Sequence, residues 1–158
     1  MSKVKFVHEL QKSIEHYARA NGVGPAPTWK IHKSTALSNL PDILGVYWHT
    51  TYFIECRVRE RPKRKFDLMF GLTPLQRTTL RAITIAGGYA FLAVRLGKNN
   101  ALIVNFKRLW RDKIFPTSIQ VTFLGDVGMI LDCKYELNLI TRKPLGLWEN
   151  IGRVIHDE

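Results

Sequence analysis

Long hydrophobic runs are missing from this sequence, as are paired cysteines, histidines at metal-ligand spacing and an even balance of charge. No apolar stretch approaches the roughly 20 residues of a membrane-spanning helix, so no membrane partner is expected. The opening M-S-K-V-K-F-V-H-E-L lacks the continuous apolar core of a secretory leader, which leads to the expectation of an intracellular protein. The cysteines Cys56 and Cys133 stand far apart with no Cys-x-x-Cys, which argues against a zinc knuckle or a disulfide framework. Cys56 lies in an apolar strand pattern and reads as a buried, reduced thiol. The absence of a G-x-x-x-x-G-K-[ST] loop argues against a nucleotide-driven motor. Acidic residues are scarce: 13 Asp and Glu against 24 Lys and Arg, a formal net charge of +11. Such an excess attracts polyanions through counterion release and long-range steering, so nucleic acid is the expected partner.

The 158 residues, 46% of them hydrophobic, suffice for one domain with one core. Phe6, Leu10, Ile14 and Tyr17 make a helical stripe over residues 3 to about 20, stopped by Asn21-Gly22 and the Gly24-Pro25-Ala26-Pro27 run. Trp29 to Lys33 alternates as a short half-exposed strand would. Ile43 to Trp48 and Tyr52 to Val58 read as two strands joined by a turn near His49-Thr50. Arg59 to Lys65 (R-E-R-P-K-R-K) is a basic loop, since Pro62 and mutual repulsion oppose regular structure. Thr73, Pro74 and Gln76 have capping-box spacing and predict a helix to about Ile85, closed by Gly87-Gly88. Tyr89 to Leu96 and Ala101 to Phe106 form a strand pair around Gly97 to Asn100. Beyond these, Lys107 to Lys113 and Leu147 to Ile155 read as short helices, and strand-like runs lie within Ser118 to Leu124 and Met129 to Leu139.

Alternation along the second strand puts Phe53, Glu55 and Arg57 on one face, with Ile54, Cys56 and Val58 on the other. A carboxylate beside Phe53 is costly to bury without a partner, and either a metal ion or Arg57 would satisfy it. The plainer reading is a Glu55–Arg57 ion pair, with Asp42 an ordinary turn residue after Pro41.

Pro41-Asp42, Glu55-Cys56-Arg57 and Leu72-Thr73-Pro74-Leu75-Gln76, in that order, resemble the PD-(D/E)xK nucleases, in particular their VRR-NUC and Holliday-junction-resolvase-like branches. The resemblance covers roughly residues 5 to 106. It implies an α/β, restriction-endonuclease-like core of αβββαβ order, a mixed central sheet flanked by helices. Residues 1–106 would form that core, with 107–158 a small C-terminal extension packed on the same domain. It further implies Mg²⁺ or Mn²⁺ held by Asp42, Glu55 and the backbone carbonyl of Cys56, assisted by Glu9 of the first helix and by Gln76. Arg57 stands where the family usually has lysine. Arginine stays protonated and can steady phosphate charge, but it cannot act as a base. The implied function is a metal-dependent endonuclease acting on branched DNA as a homodimer. The alternative is a nucleic-acid-binding module that keeps the fold without the chemistry.

Arg59, Arg61, Lys63, Arg64 and Lys65 of the basic loop are the expected phosphate-gripping residues, extended by Arg77 and Arg81 four apart on the next helix. Lys107, Arg108, Arg111 and Lys113 make a second cluster, while Trp29 and Trp48 are candidates for stacking on unpaired bases.

Overall fold

The stripe Phe6, Leu10, Ile14 does what its spacing predicts: it builds helix α1, Lys3–Ala20, and all three side chains are fully buried. Ser2 caps the helix, its hydroxyl accepting from Lys5 N–H at 3.2 Å. The computed structural model describes residues 2–20, 27–32, 39–47, 50–59, 66–67, 69–96, 100–106, 120–121 and 134–138. The expected helices at 107–113 and 147–155 lie outside the described residues, as does Trp48.

Among the described residues eight strands follow: β1 Thr28–Lys30, β2 Ile43–Tyr47, β3 Thr50–Arg59, β4 Phe66–Asp67, β5 Tyr89–Leu96, β6 Asn100–Asn105, β7 Gln120–Val121 and β8 Lys134–Asn138. Helix α2, Pro74–Ile85, falls between β4 and β5. Six strands form one mixed sheet in the order β1-β2-β3-β5-β6-β8, and β4 with β7 makes a separate pair. β2 runs antiparallel to both β1 and β3, β5 returns parallel to β3 after α2, and β6 and β8 are antiparallel again. A parallel return needs a crossover connection, and α2 supplies it. The architecture is thus the α/β, restriction-endonuclease-like arrangement expected from the sequence. β8, from the C-terminal third, adds the edge strand beside β6.

One sheet face takes α1. Phe6, Val7, Leu10 and Ile14 pack there against Ile43, Tyr52, Ile54, Cys56, Phe91, Ala93 and Ile103. Burying each of the large side chains contributes about 1.5–3 kcal/mol. Cys56 is buried and in no disulfide, as its setting predicts. The other face carries Glu55 and the buried Leu92 opposite it in register. Here α2 comes down with Leu80 and Thr84 buried. Its start is the predicted capping box: Thr73 Oγ1 accepts from Gln76 N–H, and Gln76 Oε1 accepts from Thr73 N–H. It ends at Gly87, whose φ of +87° suits glycine, with Gly88 N–H returning to the Ile83 carbonyl. Among the described residues no helix is long and apolar enough to cross a membrane.

Candidate metal centre

Strand β2 stops where the site begins. Its last pair with β3 at this end is Ile43 with Ile54, and Asp42 lies just past it. The backbone of Asp42 is held on both sides: its N–H donates to the Ile54 carbonyl at 3.0 Å, and its carbonyl accepts from Ile31 N–H at 2.9 Å. Pinned this way, the side chain reaches one residue further along the β3 edge than the strand does. Oδ2 there accepts the N–H of Cys56 at 2.8 Å. A side-chain oxygen takes the place of a ladder carbonyl, which keeps a buried amide satisfied. The N–H and C=O of one strand residue leave on the same side, so the Cys56 carbonyl points to this edge as well.

Glu55 projects from the middle of β3 into the same place. Its Oε1 accepts from Lys3 Nζ at 3.3 Å and from Gln76 Nε2 at 3.2 Å. Lys3 also stands 3.1 Å from Asp42 Oδ2, so one ammonium bridges both carboxylates. The side chains of Asp42 and Glu55 are only 9% and 1% exposed, against 39% for Lys3. Burying two carboxylates in a low-dielectric setting demands compensation, and Lys3 provides it. Burial alone would push the Lys3 ammonium below its ordinary value. The Glu55 and Asp42 carboxylates outweigh that effect and hold it above.

The donor set fits a hard divalent ion. Two oxygens of acidic side chains already converge on a single cation at the edge to which the Cys56 carbonyl points, and Mg²⁺ needs no more protein ligands than these three. No group of three or more His, Cys, Asp or Glu side chains gathers among the described residues, and Glu9 therefore does not complete a cluster with Asp42 and Glu55. The Glu9 carbonyl accepts from Ser13 Oγ within α1.

Gln76 serves two structures at once. Its oxygen closes the α2 cap on Thr73 while its amide nitrogen reaches Glu55. The start of α2 is thereby fixed to the carboxylate it faces.

Three of the expected DNA-binding or catalytic arginines are engaged with a turn of the chain itself. Arg57 shares the Glu55 face but runs under Gly71, where an added Cβ would overlap its Nη2. Arg59 donates to the Asp67 carbonyl at 2.9 Å and lies 4.8 Å over the Phe70 ring. Arg77 donates to the Met69 carbonyl at 3.1 Å. Together they clasp Asp67, Met69, Phe70 and Gly71. Arg81 is exposed on α2 and Trp29 is half-exposed in β1. Arg61, Lys63, Arg64 and Lys65 lie outside the described residues.

Sequence reasoning missed Lys3. Fifty-two positions separate it from Glu55, and no local pattern links them. The one signal is that α1 carries no acid in its first turn, where the helix dipole favours one, and has Lys3 and Lys5 there instead.

No protein-family model matches the chain, and no curated protein matches it. Among solved structures it is similar to Hjc, a Holliday junction resolvase from the archaeal hyperthermophile Archaeoglobus fulgidus, at 13% sequence identity and a TM-score of 0.46, covering 70% of this chain and 84% of that one.

Proposed function

We propose that this chain is a divalent-metal-dependent nuclease that hydrolyses phosphodiester bonds in branched DNA and works as a homodimer. One observation carries the reading: Asp42, buried just past the end of β2, and Glu55, buried within β3, both meet the one Lys3 ammonium. Two buried acids at one point are costly to a fold that has no use for them, and such pairs are characteristic of metal-assisted phosphoryl chemistry. When bound at this pair, Mg²⁺ or Mn²⁺ supplies Lewis-acid polarisation of the phosphate and activation of water. Asp42 and Glu55 hold the ion, with the Cys56 carbonyl as third protein donor. Gln76 orients Glu55, and the capping box orients Gln76. The basic excess of the chain draws the polyanion in, with Arg61, Lys63, Arg64, Lys65 and the exposed Arg81 as its expected phosphate contacts.

The test is cleavage of a labelled four-way junction, with linear duplex and flap controls, in Mg²⁺ and in Mn²⁺. Symmetric, metal-dependent cuts that vanish in Asp42→Asn support a dimeric resolvase. Cuts in the flap alone would keep the nuclease and change the substrate. Tight, salt-sensitive binding with no cleavage by the wild type would leave a nucleic-acid-binding module.

A further inference from the structure

The structure assigns to Lys3, in the first turn of α1, the part of the basic residue in this site, in place of Arg57 on β3. This inference rests on the nuclease reading above. Lys3 Nζ touches both carboxylates, at 3.1 Å from Asp42 Oδ2 and 3.3 Å from Glu55 Oε1. Arg57 occupies the strand position two residues after Glu55, yet its guanidinium lies against Gly71 in the turn that Arg59 and Arg77 also grip.

Helix stability does not explain Lys3. A cation in the first turn opposes the helix dipole, and α1 has no acid there to offset it. The compensation comes from the sheet, where Asp42 and Glu55 bring two negative charges to that helix end. Neither does surface solvation explain it, because an exposed lysine has no need to bridge two buried acids across the fold. Lysine also suits the task. Its ammonium is a compact charge on a flexible four-carbon stem, so it can yield the space between the carboxylates to a divalent ion and stay beside them. Of the three groups it is the one solvent reaches most, so a phosphate approaching the pair meets Lys3, which can donate to its oxygens.

Two consequences separate this from a merely structural ion pair. Without bound metal, Lys3 occupies the cation position and competes with an incoming ion. With substrate bound, its loss weakens turnover more than it weakens DNA binding. Wild type, Lys3→Met, Arg57→Lys and the double variant are compared in junction cleavage at saturating substrate and in Mn²⁺ binding by calorimetry. Lys3→Gln serves wherever Lys3→Met is too unstable to measure. The expected result is a kcat lowered by about 100-fold in Lys3→Met, as for loss of one charge-stabilising donor, with KM changed far less. Mn²⁺ binds it several-fold more tightly, and Arg57→Lys neither speeds the wild type nor restores the variant. A kcat loss under about tenfold in Lys3→Met, below the usual effect of such a donor, would overturn the assignment. So would recovery in the double variant, which would return the role to position 57, and so would unchanged or weaker Mn²⁺ binding. If the wild type cuts nothing, the nuclease reading fails separately, and the calorimetry alone decides whether Lys3 is the cation of this pair.

Discussion

Asp42 Oδ2 accepts the backbone N–H of Cys56 at 2.8 Å, on the β3 edge where β2 has ended. The same oxygen lies 3.1 Å from the Lys3 ammonium. Structural and electrostatic roles meet in one atom, and two substitutions pull them apart. Asparagine at this position would keep an acceptor for Cys56 N–H and drop the charge, while alanine would drop both. Asp42→Asn is therefore expected to melt within a few degrees of wild type. Asp42→Ala is expected to lose about 1–3 kcal/mol, the cost of a buried donor left unmade. Both should lose Mn²⁺ binding. Denaturation and calorimetry check this, and an Asp42→Asn protein with wild-type Mn²⁺ affinity would remove Asp42 from the ligand set.

Gln76 offers a sharper separation, because its two ends do different work. Thr73→Ala removes half of the capping box and should cost about 1 kcal/mol, as N-cap substitutions do. Gln76→Glu keeps an acceptor for Thr73 N–H but sets a second carboxylate against Glu55, where an amide donor stood. Like charges at a buried site are penalised, so Gln76→Glu should be the less stable of the two despite its intact cap. Added Mn²⁺ should then raise its melting temperature more than that of wild type. Equal shifts in the two proteins would place the ion elsewhere.

Much of this was legible in the residues. The spacing of Phe6, Leu10 and Ile14 gave α1, Thr73-Pro74-x-Gln76 gave the start of α2, and the alternation through Glu55 gave the polar face of β3. The hairpin between β2 and β3 then brings Asp42 to Glu55, because antiparallel neighbours pair in register. Lys3 was hidden because tertiary packing alone carries it to the acids, across 52 residues. The arginine clasp on Asp67, Met69, Phe70 and Gly71 was hidden for another reason. Arg59 and Arg77 donate to main-chain carbonyls, which every residue has, so no sequence pattern marks the partner. An arginine such as Arg59 or Arg77 reads as ligand-facing until the carbonyl it serves is seen.

Gly71 is expected to be among the least replaceable residues of that clasp. Its φ of +88° disfavours any L side chain, and a Cβ would also overlap Arg57 Nη2. Gly71→Ala should cost about 1–3 kcal/mol, the range for strained backbone at a non-glycine residue. Part of that cost depends on Arg57 and part does not. In an Arg57→Ala background the overlap disappears and the backbone strain stays, so the same change should cost less there. A double-mutant cycle by urea denaturation measures the difference, and additive costs would show that Arg57 moves aside freely.

Tyr52 yields a pH dependence whose sign can be worked out. The ring lies over Gly45, its cross-strand partner, and meets Phe91 edge to face at 6.1 Å. Its hydroxyl is buried with no hydrogen-bond partner among the described residues. Burial disfavours the phenolate and drives the folded-state pKa well upward, whereas the unfolded chain titrates near the ordinary value of about 10. A group whose folded pKa is raised contributes its stability in full below the unfolded value and loses it as pH climbs toward the folded one. Wild type should therefore weaken above about pH 10 by a margin that Tyr52→Phe does not share. At neutral pH the substitution removes an unpaired buried oxygen and should be neutral or stabilising by up to about 1 kcal/mol. Urea denaturation of both proteins at about pH 8 and about pH 10.5, on either side of the ordinary phenol value, tests the two statements together, since the remaining tyrosines and lysines are common to both. A stability gap that stays constant between those pH values would mean that the Tyr52 hydroxyl titrates as freely in the fold as outside it.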